Sequence, residues 1–276
     1  MKLARFTACG ITSYGVVNGN TVKAIRGLPW EALSATGAEY ALSGVELLAP
    51  VEPPNVIAIG ANYRKHIEES GAKVPSAPLV FLKATTAVTG PGKAVVLPAM
   101  APGEVDFEAE LAIVIGRTCR RVSEADALGY VLGYTCANDI SARDCQRRLD
   151  SQWARAKSFD TFCPLGPWIE TELDGNRCGI SLKLNGQTLQ HSNTADMLFS
   201  CRKLISYCSQ FATLLPGTVI LTGTPEGVGF ARKPPLFLKA GDVMEVGIEG
   251  IGVLENPVTL EQETASANSR KQGTDR

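Results

Sequence analysis

Two glutamates separated by one residue, Glu108 and Glu110, stand at the start of an apolar run that ends at Gly116. Side chains at positions i and i+2 of a strand share a face, so we expect the two carboxylates to lie together while Phe107 and Ala109 face the other way. Like charges this close raise each other's pKa unless a cation neutralises them, and Mg²⁺ prefers oxygen ligands. The pair therefore predicts half of a metal site, with a solvated acidic strand face as the alternative.

A third carboxylate, Asp139, follows an apolar, β-prone stretch about 30 residues later. Ser141 with Asp144 three residues on has the capping pattern of a helix start. A helix from about Ser141 would place Arg143 and Gln146 on one face beside Asp139. The segment predicts a pocket lined by a bound cation, a carboxylate-binding Arg and a neutral amide; a turn Asp followed by a solvated helix face is the alternative.

Six motifs in this order make the chain similar to the fumarylacetoacetate hydrolase family, in its acylpyruvase and 2-hydroxyhepta-2,4-diene-1,7-dioate isomerase-like branch. They are N-Y-R-K-H-I-E-E (62–69), F-L-K (81–83), D-F-E-A-E-L (106–111), N-D-I-S-A-R-D-C-Q (138–146), A-K-S-F-D (156–160) and L-T-G-T-P-E-G-V-G (221–229). The resemblance implies that Mg²⁺, or Mn²⁺ in its place, is bound by Glu108, Glu110 and Asp139. It also implies that substrate or metal-bound oxygens are contacted by Arg143, Gln146, Lys157 and Thr224. Ala84 departs from the Pro that relatives usually carry after F-L-K.

His66 is one of only two histidines, and Glu69 follows it three residues later. On a helical turn this spacing puts a carboxylate beside the imidazole, where it can fix the tautomer and raise the basicity. The resemblance implies that the segment is a mobile lid whose His-Glu pair handles water or a proton. His191, in a polar stretch, is predicted to lie in a loop; a structural role for His66 is the alternative.

The glycine-rich stretch 222–229 follows an apolar strand but lacks the Lys-Ser/Thr of a P-loop and the G-x-G-x-x-G spacing. Pro225 also stands where a phosphate-binding backbone N–H would be needed. These features argue against a nucleotide site. The glycines predict a tight turn that brings the Thr224 hydroxyl into the pocket, or a plain structural turn.

Composition and charge exclude several function classes. The net charge of −1 gives no electrostatic footprint for nucleic acid or for an anionic membrane surface, so a small-molecule partner is predicted. No apolar stretch reaches the roughly 20 residues of a membrane span, and the first 17 residues lack a signal-peptide core. Eight scattered cysteines without a C-x-x-C pair predict free thiols in a reducing compartment, the cytoplasm.

The chain is predicted to be an α+β, β-rich protein with a small β-rich N-terminal unit at 1–52, a catalytic domain at 53–258 and a disordered tail at 259–276. The resemblance implies that the catalytic domain is the mixed β-sandwich or roll of the family's C-terminal domain. A hairpin is predicted around Asn18-Gly19 and a helix over 197–214. Strands are predicted at 56–59, 79–82, 111–115, 131–135, 180–184, 219–221 and 243–248.

The resemblance implies a metal-dependent hydrolase that cleaves the C–C bond of 2,4-dioxo acids, acylpyruvates such as fumarylpyruvate, through a metal-stabilised pyruvate enolate. His66 and Glu69 would deprotonate the attacking water, and Lys157 would stabilise the enolate. The same site could serve a 2-hydroxydienoate isomerase, an oxaloacetate tautomerase or an oxaloacetate decarboxylase. A metal-dependent ligand-binding protein without turnover is a further alternative. Family analogy favours a homodimer.

Overall fold

The computed structural model describes residues 1–262, and strands dominate it. The N-terminal strands are β1 (Lys2–Ala8), β2 (Ile11–Asn18), β3 (Thr21–Arg26), β4 (Ser34–Ala41) and β5 (Glu46–Leu48). The hairpin prediction is confirmed, since Asn18 pairs with Thr21 and Gly19 takes the positive φ of 56° that its tight turn requires.

A large sheet forms the centre of the molecule. Its further strands are β6 (Val56–Gly60), β7 (Leu79–Lys83), β8 (Val88–Thr89), β11 (Ala109–Ile115), β12 (Val131–Asn138), β14 (Cys163–Glu170) and β17 (Val219–Leu221). The strand order is β4-β3-β2-β1-β14-β12-β11-β17-β6-β7, with β5 paired to β1 and β8 paired to β14. The N-terminal strands therefore continue the same sheet that carries the predicted site residues.

A second sheet packs over one face of the first. It consists of β16 (Gln187–Asn193), β15 (Gly179–Leu184), β18 (Val243–Ile248), β19 (Gly252–Leu260) and β9 (Val95–Leu97), in that spatial order. A short pair joins β10 (Val105–Asp106) to β13 (Ser141–Ala142). Along β11, Leu111 and Ile113 face the main core while Ala112 and Val114 face a second cluster. This burial on both faces explains why the run after Glu110 is continuously apolar.

Helices are few and short: α1 (Arg64–Ser70), α2 (Ala154–Lys157), α3 (Cys201–Phe211), 3₁₀ turns at Leu42–Gly44, Thr85–Ala87, Ala127–Tyr130, Thr194–Asp196 and Gly229–Ala231, and a π turn at Cys145–Leu149. The predicted helix over 197–214 is too long at both ends. Ser200 caps the start of α3 because its Oγ accepts a hydrogen bond from the N–H of Lys203, and Leu214 has left the helix to bridge Cys119.

The α+β, β-rich class is confirmed, and all seven predicted strands are present. The predicted tail from 259 begins too early, because Thr259 and Leu260 pair with β9 as the end of β19. The part of the tail from 263 onward lies outside the described residues. Within residues 1–262, no helix is both long and apolar enough to cross a membrane.

Candidate active site

Three buried carboxylates, Glu108, Glu110 and Asp139, converge at one end of the central sheet, and we call them the carboxylate triad. One oxygen from each lies within 4.8 Å of the others. Glu108 immediately precedes β11, Glu110 is the second residue of β11, and Asp139 immediately follows β12. Antiparallel pairing of β11 with β12 brings these strand ends together, so the proximity predicted from the sequence is present.

The backbone of Glu108, just before β11, forms two hydrogen bonds with residues at the end of β12. Its N–H donates to Oδ1 of Asn138 at 2.9 Å, and its carbonyl accepts from the N–H of Asp139 at 2.9 Å. A side-chain amide thus takes the place of a strand partner at the position where the chain leaves the sheet. These two hydrogen bonds fix the position of Glu108 relative to Asp139.

Two buried lysines neutralise part of the triad. Nζ of Lys157 donates to Oε2 of Glu108 and to Oδ2 of Asp139, both at 2.7 Å, and Nζ of Lys83 forms an ion pair with Asp139. Burial alone would lower the pKa of Lys157, but the Asp139 and Glu108 carboxylates outweigh it and raise that pKa. Lys157 is therefore an ammonium at neutral pH. It serves as a fixed positive charge and not as a base.

The guanidinium of Arg143 forms three hydrogen bonds with other side chains of the protein. Nη2 donates to Oε1 of Glu108 at 2.6 Å, Nε to Oδ2 of Asp106 at 2.9 Å, and Nη1 to Oε1 of Gln146 at 2.8 Å. The burial that raises the pKa of Glu108 is outweighed by Lys157 and Arg143, which lower it. Arg143 and Gln146 are adjacent as predicted, but two carboxylates already balance the guanidinium charge.

The predicted helix start at Ser141 is wrong. Ser141 and Ala142 form β13 and pair with β10, and Oγ of Ser141 donates to the carbonyl of Asp139 at 2.9 Å. The capping residue is Asp144, whose Oδ1 accepts from the N–H of Cys145 at 2.7 Å at the head of the π turn. The serine hydroxyl satisfies the strand end next to the triad instead of a helix end.

Glu110 is the triad member without a cationic hydrogen-bond partner among the described residues. Its Oε2 accepts from the N–H of Gly223 at 2.7 Å, and burial together with the Asp139 and Glu108 charges raises its pKa well above the usual range. The buried charge cluster, as we call it, contains four carboxylates and three cations: Asp106, Glu108, Glu110, Asp139, Lys83, Arg143 and Lys157. With all groups ionised it keeps one negative charge.

The excess charge and the donor set fit a hard divalent cation. Three carboxylate oxygens in mutual reach are the ligands that Mg²⁺ and Mn²⁺ take, and a divalent ion would reverse the sign of the cluster. The carboxylate triad is the set that would hold such an ion. The binding itself remains a prediction.

His66 and Glu69 lie on α1, and His66 also lines a cavity whose wall includes Glu108 and Glu110. Nδ1 of His66 is 3.5 Å from Oε2 of Glu69, a long contact, and the Glu69 carboxylate accepts from the N–H of Gly227 at 3.0 and 3.1 Å. The glycine-rich loop thus positions the carboxylate that faces the imidazole. With Nδ1 turned to Glu69, Nε2 is the ring nitrogen left for a substrate.

The Thr224 hydroxyl reaches the cavity wall but is already engaged. Oγ1 donates to the carbonyl of Ala109 at 2.9 Å and accepts from Nε2 of Gln190 at 2.9 Å. Gln190 also accepts from the N–H of Ala109 at 2.9 Å, so it fixes the start of β11. The predicted loop around His191 is wrong, because Gln190 and His191 belong to β16, with His191 exposed.

Asp106 is a site residue that the sequence analysis missed. Besides binding Arg143, it accepts from the N–H groups of Gly229 at 2.8 Å and Phe230 at 3.0 Å, which ties the glycine-rich loop to β10. A Cβ on Gly229 would stand 1.9 Å from the carbonyl oxygen of Leu236, so only glycine fits there. Asp106, two residues before Glu108, continues the i, i+2 alternation, which was an available signal.

Glu108, Glu110 and Thr224 line one cavity of about 260 Å³. One wall is polar and includes Arg143, Gln146 and Lys157. The other is apolar and includes Phe81 and Trp153, whose rings are 5.3 Å apart between centroids. His66 lines the same space, so a proton-handling group, fixed charges and an apolar surface meet there.

Comparison with known proteins identifies this arrangement. Residues 55–259 match the family described as fumarylacetoacetate (FAA) hydrolase C-terminal, and residues 1–50 match one described as Rv2993c-like, N-terminal. The chain belongs to the fumarylacetoacetate hydrolase family. It is an enzyme of that family, and the sheet-rich fold implied by the sequence resemblance is confirmed.

Several of the similar proteins are named as isomerases or tautomerases, and one solved structure is named as a fumarylacetoacetate hydrolase. The chain is 46% identical over 232 residues to human "Oxaloacetate tautomerase FAHD2A, mitochondrial", covering 82% of this chain and 74% of the relative. It is 42% identical over 268 residues to Mycobacterium tuberculosis "Protein Rv2993c", covering 94% and 98%. A crystal structure of Mycobacterium smegmatis 5-carboxymethyl-2-hydroxymuconate delta-isomerase matches with a TM-score of 0.86 and 44% identity, covering 95% of this chain and all of that one.

Proposed function

We propose that this enzyme is a tautomerase of 2-oxo acids that moves a proton between C3 and the C2 oxygen, with oxaloacetate as the type of substrate. Isomerases and tautomerases among its relatives support this proposal better than they support the hydrolysis of acylpyruvates. Isomerisation and tautomerisation both move a proton on a carbon skeleton that carries a 2-oxo or enol group. For oxaloacetate this needs a proton donor or acceptor at C3 and positive charge near the C2 oxygen. The cavity offers both.

His66 is the group that we assign to C3. In the direction from enol to keto, the C2 hydroxyl loses its proton to solvent and C3 gains one from the His66 imidazolium, which takes a proton back from solvent; in the reverse direction each transfer is reversed. Glu69, held by the N–H of Gly227, supports the charged imidazole during the transfer. The observation that carries the proposal is that His66, with Glu69 beside it, lines one small cavity together with the buried Lys157 ammonium.

Negative charge that develops on the C2 oxygen would lie beside the Lys157 ammonium, and a divalent ion on the carboxylate triad would turn the net charge of the buried charge cluster from negative to positive. Lys157 lines the cavity as a buried ammonium, and Arg143 lines it beside Gln146. Such preorganised charges stabilise an enolate because they need not reorganise as it forms. A Mg²⁺ ion held by the carboxylate triad would add Lewis acidity at the same oxygens.

Cavity size supports a small substrate. A volume of about 260 Å³ is below the roughly 300–1,000 Å³ typical of sites for drug-sized ligands. A four-carbon 2-oxo diacid is small enough for a cavity of this volume.

The test measures enzymatic ketonisation of enol-oxaloacetate in the presence of Mg²⁺ from the decrease in enol absorbance. We expect His66→Ala to lower kcat by about 10²-fold or more, the usual size of general acid–base catalysis. His191→Ala is the matched control, because that histidine is exposed on β16 and away from the cavity. A His66→Ala enzyme as fast as wild type would contradict the assigned role.

Acylpyruvate hydrolysis is the second candidate, and the apolar wall favours it. Phe81 and Trp153 would suit the apolar acyl group of such a substrate, and the His-Glu pair could deprotonate water. Release of pyruvate from acetylpyruvate at a kcat/KM above that for enol-oxaloacetate would favour this candidate.

We also propose a homodimer in the cytoplasm. β7 is an edge strand with two exposed leucines, Leu82 at 59% and Leu79 at 43%, and a second copy that paired along this edge would cover it. The eight cysteines are free thiols in the structure, and seven of them are buried, which suits a reducing compartment. Light scattering tests the dimer, and Leu82→Glu should yield monomer if β7 forms the interface.

A further inference from the structure

Arg147 lines this cavity, and its guanidinium is not paired with a carboxylate of residues 1–262. Its neighbour Arg148 pairs with Glu104 through two contacts of 2.9 and 3.0 Å, and Arg143 is balanced by two carboxylates. The Arg147 side chain, in contrast, has no hydrogen bond or ion pair with any of residues 1–262, and the residue is exposed while lining the cavity. A guanidinium in this position offers its donors to whatever enters.

Phe230 holds that guanidinium in place. Cζ of Arg147 lies 4.8 Å from the centroid of the Phe230 ring, and Cζ of Arg143 lies 4.4 Å from the same centroid. The ring is anchored in turn, since the N–H of Phe230 donates to Oδ2 of Asp106 at 3.0 Å. Two arginines share one ring at i and i+4, and repulsion between them is reduced because Asp106 and Glu108 neutralise Arg143.

We infer that Arg147 binds the distal carboxylate of a dicarboxylic 2-oxo acid and so selects diacids over monoacids, an inference that rests on the proposed tautomerase function. A planar guanidinium matches a carboxylate with two parallel N–H donors. The charge balance agrees: oxaloacetate brings its C1 carboxylate beside the C2 oxo group and its C4 carboxylate on the other side of C3, and no group of the buried charge cluster is free to bind the second. Phe230 is a positioning residue in this arrangement.

The substrate pair that tests the inference is oxaloacetate and its 4-methyl ester, which keeps the shape and loses the distal charge. We expect Arg147→Gln to lower kcat/KM for oxaloacetate about 10- to 100-fold, mainly through KM, the scale of a charged hydrogen-bonded pair. The ester should change by less than about threefold. Arg147→Lys should recover part of the loss, and Arg148→Gln, the matched control, should leave both substrates within about twofold of wild type.

Phe230→Leu should give a smaller, diacid-selective rise in KM, of about 3- to 10-fold, because the guanidinium remains but is no longer held. In the Arg147→Gln background the same change should add little for oxaloacetate, since both residues act on one contact. Equal losses for the diacid and the ester in Arg147→Gln would overturn the inference, because they would report a general effect on the site.

A binding measurement separates this inference from the proposed function. Calorimetry with L-malate and L-lactate in Mg²⁺ compares a diacid with a monoacid without any turnover. If wild type fails to tautomerise oxaloacetate but Arg147→Gln weakens malate alone, the tautomerase proposal fails and the role of Arg147 stands. If wild type binds malate no more tightly than lactate, the role of Arg147 is refuted, whatever the activity.

Discussion

Replacing Lys157 by Met should cost stability in a way that added metal restores. Lys157 is 2% exposed, and its ammonium contacts Glu108 and Asp139 at 2.7 Å each. Methionine keeps most of the side-chain volume but removes the charge, so the buried charge cluster would hold four carboxylates and two cations. Breaking a buried ion pair by removing one partner costs about 3–5 kcal/mol.

The expected shift in melting temperature follows from that loss. At about 2–4 °C per kcal/mol for a chain of this size class, Lys157→Met should melt roughly 6–20 °C below wild type in the presence of EDTA. Because Glu110 already has a raised pKa, protonation of the cluster can relieve part of the strain at low pH, so the deficit should grow from pH 6 to pH 8. Saturating Mg²⁺ supplies two positive charges and should stabilise the variant more than it stabilises wild type.

Differential scanning fluorimetry with EDTA or Mg²⁺ gives this comparison directly. Lys203→Met is the matched control, because Lys203 is 44% exposed and forms a single surface pair with Glu124, whose loss should change stability by less than about 0.5 kcal/mol. In kinetics, Lys157→Met should lower kcat by about 10²- to 10³-fold with little change in KM. Equal melting temperatures for variant and wild type in EDTA, with equal gains from Mg²⁺, would refute the charge argument. A raised KM with unchanged kcat would make Lys157 a ground-state binding residue.

Further substitutions test the rest of the site. Alanine at any member of the carboxylate triad should abolish turnover and reduce the thermal stabilisation by Mg²⁺. Exhaustive chelation should abolish the activity of the wild-type enzyme, and full activity after chelation would contradict the metal prediction. Asp106→Asn should lower the free energy of unfolding by about 1–3 kcal/mol in denaturant titrations, because Arg143 loses one of its two anions; an unchanged midpoint would contradict it. Gly229→Ala should cost about 1–3 kcal/mol or more, because its Cβ would collide with the carbonyl of Leu236, whereas Gly103→Ala, with open space around it, should stay within about 0.5 kcal/mol of wild type.

Much of the site could be predicted because several of its residues are close in sequence and their spacing sets which side chains share a face. Glu108 and Glu110 share a face through the two-residue period of a strand, and His66 and Glu69 meet through one helical turn. The apolar run of β11 required burial on both faces, which the structure contains. Asp139 at a strand end was also visible as a polar residue after an apolar stretch.

The remaining parts depend on contacts that no local pattern encodes. Gln190 fixes Ala109 from 81 residues away, and Lys83 reaches Asp139 across 56 residues. The helix predicted from Ser141 failed because β10 was available as a pairing partner, and tertiary pairing outweighs a capping pattern. Arg143 was expected to contact the substrate, but its ion pairs with Asp106 and Glu108 join separate segments and could not be recognised from the sequence.

The most direct test of the central claim compares two reactions in one enzyme sample. Proton NMR of wild type with Mg²⁺ in D₂O can follow enol-oxaloacetate ketonisation with deuterium entering C3, and, in a parallel tube, pyruvate formed from acetylpyruvate. We expect metal-dependent ketonisation that greatly exceeds the uncatalysed rate, with kcat/KM above that of any pyruvate release. Pyruvate release from acetylpyruvate with the larger kcat/KM, and ketonisation at the uncatalysed rate, would contradict the tautomerase proposal.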